Sequence, residues 1–218
     1  MDTSSEQLFV KVAPLAQKWA LIREGETLQL LGGRYADFLV PQFRYAVNLG
    51  CSYLVASTLI SGATSVPRFP GELRSAIAAR FAASRRSPLP AASPPAWTRP
   101  DSPESDVPHL SAAVRWLQDT EAPIAIAPVH GDLTKSNILK QKDRYWLIDW
   151  ESSFTEGPVS VDLVANHVDM LTHSRLTATA DEISNSTDLP MADTVAALVF
   201  LGARGNAAAL DSLRRTFP

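Results

Sequence analysis

The sequence predicts an α+β protein, and three observations carry that prediction. Strand-like runs, Leu8–Ala13, Val40–Val47 and Ser52–Ser57, gather in the amino-terminal third around one helical stretch. The carboxy-terminal two-thirds is dominated by apolar residues at helical spacing. Between these regions lies a polar stretch, Ala127–Lys140, continued by Tyr145–Glu151, in which two polar clusters are each fixed by an apolar run.

Composition narrows the class. With 218 residues, 45% hydrophobic and 20% charged, the chain is long enough for one large domain or two small lobes and too apolar to be disordered. A net charge of −3 gives no basic excess for nucleic acid or an anionic membrane. One cysteine, Cys51, excludes an internal disulfide framework and fits a reducing compartment; beside Tyr53–Ala56 it reads as structural. No run approaches the roughly 18 apolar residues of a membrane helix. Residues 1–6, Met-Asp-Thr-Ser-Ser-Glu, are not a signal peptide, so a cytoplasmic location is expected.

The elements follow in order. Leu8–Ala13 is β-branched and aromatic, and Pro14 ends it. Ala16–Leu31 has broadly helical apolar spacing, contains Glu24 and Glu26, and stops at Gly32-Gly33. Gly25 weakens that helix by about 1 kcal/mol. Val40–Val47 and Ser52–Ser57 are strands joined at the turn Asn48-Leu49-Gly50. Gly71–Ala83 is an alanine-rich helix. Ser87–Pro108 holds seven of the 16 prolines, which argues against regular structure; it is a linker or, better, an insertion loop. Arg85, Arg86 and Arg99 beside it read as solvated charges, with an acidic ligand as the alternative, and His109 caps or flanks the next helix. Leu110–Asp119 is that helix, and Pro123–Ala127 a short strand. Helices over Met191–Ala203 and Ala207–Arg215 close the chain; Asp181, Glu182 and Asp188 ahead of them could face a cationic ligand.

The polar stretch carries the chemistry. Gln141–Arg144 is a four-residue break of hairpin length, and a hairpin would return Asp149 towards Asn137, with Asp132 near both. Either carboxylate alone could simply cap a turn or end a strand. Together, one carboxylate can orient a hydroxyl and accept its proton, while a carboxamide oxygen and a second carboxylate can hold Mg2+ against a nucleotide's phosphates. Lys11 is either a solvated strand residue or the cation that meets those phosphates.

His130-Gly131-Asp132-Leu133 with Asn137, then Leu147-Ile148-Asp149-Trp150-Glu151, resembles the catalytic and metal-binding loops of the aminoglycoside phosphotransferase and choline kinase-like family. Ile22–Leu31 is similar to that family's helix, with Glu24 on its lysine-bracing glutamate and Glu26 about 200° round the helix from it. Tyr53–Gly62 resembles the strand entering its hinge.

The resemblance implies a two-lobed protein-kinase-like fold, with residues 1–57 as the small lobe and 58–218 as a mainly helical large lobe. It implies ATP- and Mg2+-dependent phosphorylation of a small-molecule hydroxyl. Asp132 would be catalytic. Lys11 and Glu24 would hold the phosphates, Ala56, Ser57 and Thr58 the adenine edge through backbone, and Ser136 would sit near the phosphates. Asn137 and Asp149 would bind metal, with Glu151 reaching it through water or forming a salt bridge. His130 would position its loop, Lys135 would be exposed, and Asp162 of Gly157–Leu163 would pin the catalytic loop's backbone. Neither His167 nor His173 has metal-ligand spacing.

Two departures matter. Trp150-Glu151 stands where protein kinases have Phe-Gly, which favours a small-molecule kinase without activation-loop switching. Only ten residues precede Lys11 and none is glycine, so a truncated small lobe lacking the glycine-rich hairpin is expected. That shortening supports a rival reading: a catalytically weak or inactive kinase-like protein that binds a nucleotide or a partner without turnover.

Overall fold

Strand β1 (Leu8–Pro14) begins the described chain, followed by α1 (Lys18–Leu31), β2 (Arg34–Tyr35), β3 (Phe38–Leu39), β4 (Phe43–Asn48), β5 (Ser52–Thr58), β6 (Thr64–Ser65), α2 (Gly71–Ala83) and β7 (Arg86–Ser87). Next come α3 (Pro108–Asp119), β8 (Ile124–Val129), β9 (Ile138–Gln141), β10 (Arg144–Leu147), β11 (Phe154–Pro158), α4 (Val161–Ser174), α5 (Ala180–Thr187), α6 (Met191–Ala203) and α7 (Ala207–Thr216). This computed structural model describes residues 7–35, 38–90, 93–100, 108–174 and 176–218. The amino-terminal residues 1–6 read above for a signal peptide, and positions 91–92 and 101–107 of the proline-rich stretch, lie outside the described residues.

Among the described residues three sheets form, in the strand orders β1-β5-β4, β2-β3-β10-β9-β6 and β11-β8-β7. In the first, Lys11 stands opposite Val55. Directly opposed residues share a sheet face. Helix α1 covers that face and buries Leu21, Glu24, Gly25, Thr27 and Leu28. Gly25, a weakness in the isolated helix, is what permits the contact: a Cβ there would stand 3.3 Å from Phe43 and 3.7 Å from Val55. Gly32 ends the helix in the left-handed conformation at φ 60°.

The expected strand Val40–Val47 is broken. The Val40 N–H donates to the Gly33 carbonyl and Pro41 has no N–H, so pairing starts only at Phe43. The proline-rich stretch holds more order than its composition implies. Arg86 and Ser87 pair with Ala125 and Ile124, Ala96–Thr98 forms one 3-10 turn, and Leu89 and Trp97 are buried. Arg86 is not merely solvated. It pairs with the buried Asp193 and donates to the Pro123 carbonyl at 2.9 Å, while Asp193 accepts the Ala125 N–H at 3.0 Å. Burial pushes the Asp193 pKa up, and Ala125 and Arg86 offset only part of that.

The carboxy-terminal region contains two helices beyond those expected, α4 and α5. Helix α5 is capped by its own residues. Its capping box uses Thr179 and Glu182, whose carboxylate accepts the Thr179 N–H at 2.7 Å, and Asp181 accepts from Asn185 at 3.3 Å. Asp181 and Glu182 therefore serve their own helix. Cys51 is exposed rather than packed. The His109 ring meets the Phe217 carbonyl at 2.8 Å. No helix among the described residues is long and apolar enough to cross a membrane.

The described residues build two apolar cores. One centres on α6, buried throughout from Ala192 to Ala203, with α3, α4 and α7 around it. The other joins Leu28, Tyr35 and Val40 to Leu73 and Ile77 of α2 and to Leu133, Ile138, Leu147 and Trp150 around the polar hairpin. Phe200 of α6 is fully buried, edge-on to Phe154 at 5.5 Å. Replacing it with alanine removes a large side chain from a site with little room to collapse. Phe200→Ala is expected to lower the unfolding free energy by about 3–5 kcal/mol in denaturant titration; a loss below about 1 kcal/mol would contradict this packing.

Candidate active site

The polar hairpin forms with a tighter turn than expected. Gln141 pairs with Arg144 and Ile138 with Leu147, leaving Lys142-Asp143 as a two-residue connection with Lys142 at φ 54°. The Ile148 N–H donates to the Asn137 carbonyl at 3.0 Å, which closes the hairpin and sets Asp149 beside Asn137. Asp149 is itself left-handed, at φ 65°. That conformation is uncommon for a non-glycine residue and concentrates at functional positions.

The loop ahead of the hairpin is held from three sides. Asp162, at the start of α4 and fully buried, accepts the His130 N–H at 3.0 Å and the Gly131 N–H at 2.9 Å. The His130 Nε2 donates to the Ile148 carbonyl at 2.8 Å, so its Nδ1 faces the Asp132 N–H at 3.4 Å as acceptor. His130 is thereby occupied in fixing the loop. Gly131 sits at φ 84°, and a Cβ there would come 2.3 Å from the Ser152 carbonyl oxygen; only glycine fits. Asn137 Nδ2 donates to the Asp132 carbonyl at 2.8 Å and to its carboxylate at 3.2 Å. With the nitrogen so engaged, the carboxamide oxygen of Asn137 is its remaining ligand atom.

Lys11 joins this cluster from β1. Its Nζ lies 3.0 Å from Glu24, 2.5 Å from Asp149 and 3.9 Å from Glu151. Glu26, by contrast, is exposed. Burial disfavours the Lys11 ammonium, but Glu24 and Asp149 outweigh it and its pKa is raised. The Glu24 pKa is also raised, by burial that Lys11 only partly offsets. Asp132 reaches solvent, yet partial desolvation of its carboxyl, with Asp149 and Asp169 nearby, leaves its pKa raised despite the Asn137 hydrogen bond.

Lys11, Glu24, Asn137 and Asp149 line a cleft of about 370 Å³ whose other walls include Phe9, Ser57, Thr58, Leu139 and Ile148. One expectation needs correction. Ala56 is fully buried in the middle strand and does not line the cleft. The backbone donors of Thr58 and Leu59 are already used, on the Gln42 carbonyl at 3.0 Å and the Gln7 carbonyl at 3.1 Å. Ser136 is exposed and hydrogen-bonded to Thr134 at 2.6 Å, outside the cleft wall. Lys135 is exposed. The described residues contain no group of three or more His, Cys, Asp or Glu side chains placed to hold a metal by themselves, and neither His167 nor His173 joins such a group.

Several contributors were invisible in the sequence. Tyr35 donates to Asp162 at 2.5 Å, Arg80 stacks on the Tyr35 ring at 4.6 Å, and Ser153 donates to Thr27 at 2.9 Å, tying α1 to the segment after Asp149. Each pairs residues far apart in the chain and none belongs to a local pattern. Only Tyr35, an aromatic two residues past the Gly32-Gly33 helix stop, offered a hint that something packs there.

No family model matches the chain, and no curated protein matches its sequence. Solved structures do match. The aminoglycoside phosphotransferase APH(4)-Ia aligns over 98% of this chain and 88% of its own, at 15% identity and a TM-score of 0.50. A thermostable mutant of the same phosphotransferase, in its apo form, aligns over 98% of this chain and 82% of its own, at 13% identity and a TM-score of 0.52. The chain therefore shares the fold of the aminoglycoside phosphotransferase APH(4)-Ia.

Proposed function

We propose that this protein is a cytoplasmic ATP- and Mg2+-dependent phosphotransferase that phosphorylates a hydroxyl of a small molecule. The observation that carries this reading is Lys11, set between Glu24 and Asp149 in a cleft that also presents Asn137, with Asp132 hydrogen-bonded to that same Asn137. The shared fold supports it, and so does Trp150-Glu151 in place of an activation-loop signature. The acidic balance of the chain, net −3, points away from nucleic acid and anionic membranes as partners.

The oxygen donors fit the metal. The Asn137 carboxamide oxygen and the Asp149 carboxylate are hard ligands, too few for a closed protein cage and suited to an ion that completes its shell with phosphate and water. Held by these two residues, magnesium would supply charge neutralisation at the phosphates. Lys11, braced by Glu24, exchanges its Asp149 contact for phosphate oxygens. Asp132 orients the acceptor hydroxyl. The hydroxyl oxygen bonds to the γ-phosphorus, the bond from that phosphorus to the ADP oxygen breaks, and the hydroxyl proton passes to the Asp132 carboxylate. A raised pKa makes Asp132 a better proton acceptor than an ordinary carboxylate. Because the transition state is loose, positioning and electrostatics supply most of the rate.

Thermal melting with ATP, with and without Mg2+, tests the reading. A ligand at a hundred times its Kd stabilises by about 2.7 kcal/mol. A Mg2+-dependent rise in melting temperature is expected, abolished by Asp149→Asn, and phosphate transfer or slow ATP hydrolysis is expected to disappear in Asp132→Ala. No shift at millimolar ATP would remove nucleotide binding from the reading. A shift without any turnover would leave a nucleotide-binding protein alone.

Asp132 also yields a stability prediction. Its folded pKa is raised, so ionisation is harder in the folded chain than in the unfolded one. Stability is then lost as pH rises from the unfolded value through the folded one. Asp132→Asn should melt higher than wild type at pH 7, and the difference should narrow as pH falls through the raised pKa. A variant that melts lower at pH 7 would contradict the desolvation of this carboxyl.

A further inference from the structure

Asp162 holds the loop that carries Asp132, and Asp162 is itself held. Its carboxylate is fully buried and accepts two backbone N–H groups, from His130 and Gly131. A buried carboxylate has room for about four hydrogen bonds and is costly to leave short of donors. The remaining donor among the described contacts is the Tyr35 hydroxyl, 2.5 Å from Oδ2, the same oxygen that accepts from His130. Tyr35 is 1% exposed, and burial together with Asp162 pushes its pKa well above the usual value, so the phenol stays protonated and donating.

The ring is fixed on both sides. Trp150, the residue after Asp149, meets it edge-on at 5.3 Å and 70°. The Arg80 guanidinium lies 4.6 Å from its centroid and donates to the Pro128 carbonyl at 3.0 Å, two residues ahead of His130. For packing alone a phenylalanine would serve; the hydroxyl adds a charge-assisted hydrogen bond to the group that sets the loop. Tyr35 also follows the Gly32 cap of α1, the helix that carries Glu24. It therefore joins the element that braces Lys11 to the loop that aims Asp132.

We propose that Tyr35 is a positioning residue for phosphoryl transfer, acting through Asp162 on the backbone of His130 and Gly131 and so on the aim of Asp132. The inference rests on the phosphotransferase reading above. Tyr35→Phe should lower kcat for Mg2+-dependent ATP turnover by about 10- to 100-fold, the scale of a misplaced catalytic group, while KM for ATP stays within about twofold. Asp162→Asn should reproduce the fall in kcat, and the double variant Tyr35→Phe/Asp162→Asn should be no worse than Asp162→Asn alone. Amide hydrogen exchange at His130 and Gly131 should accelerate in Tyr35→Phe with global melting little changed.

Unchanged kcat together with unchanged exchange at the two amides would overturn the inference, as would equal losses in kcat and ATP affinity that track a general fall in melting temperature. A wild type that neither binds nor turns over ATP would remove the phosphotransferase reading instead. The exchange measurement would then still decide whether the tyrosine holds the loop.

Discussion

The site depends on one buried carboxylate. The stretch 130–134 has no regular secondary structure, so its backbone N–H groups must find partners outside any ladder. Asp162 takes two of them at once, and it can do so because it stands at the first turn of α4, packed against the core. The consequences spread outward. With His130 and Gly131 fixed, Gly131 is pressed against the Ser152 carbonyl, where no side chain fits. The His130 ring then reaches Ile148, one residue before Asp149. The two carboxylates of the site are thus set by contacts within one network rather than each by its own element. A carboxylate pair placed this way has little freedom to drift, which is what chemistry by positioning requires.

A second constraint fixes Lys11. Nothing in the local pattern of β1 distinguishes a lysine that points to solvent from one that points into a site. The decision is made by α1, which lies on the Lys11 face of the sheet and approaches closely enough to require Gly25. Glu24, the preceding residue, is carried to 3.0 Å from the ammonium as a result. Ser153 and Thr27 fasten the same helix to the segment after Asp149, so the helix that sets Lys11 is referenced to the loop that carries Asp149.

What was legible in the sequence follows from range. The hairpin could be read because its strands are adjacent and its turn polar; α2 and α6 match expectation to the residue because each is bounded by a proline or glycine at its start. The convergence of Asp132, Asn137 and Asp149 followed from that short hairpin. Asp162 could be placed only through resemblance, since thirty-one residues separate it from Gly131. The Tyr35 bond spans 127 residues and the Arg86–Asp193 pair 107, and no composition or period marks either. Ala56 was misplaced for a different reason. Ala56 belongs to a strand flanked on both sides, so its position along the sequence said nothing about which wall it forms.

The charge pattern bears on what the cleft can accept. One ammonium, Lys11, stands among the carboxylates of Glu24, Asp149 and Glu151, with Asp132 close behind Asn137. The local balance is negative, and the pKa values of Glu24 and Asp132 are raised, mainly by burial and further by Asp149. A bare polyphosphate entering this cleft would add four or so negative charges to a site already short of cations, and Coulomb repulsion at a few ångströms in a half-dry cleft amounts to several kcal/mol per pair. A divalent cation alone would relieve the carboxylates but leave Lys11 competing with it for Asp149. Under the proposed function the two together would balance: Asp149 would hold the ion, and the Lys11 ammonium, still aimed by Glu24, would turn to the phosphates. The same four side chains that repel a nucleotide are therefore suited to a nucleotide accompanied by its metal.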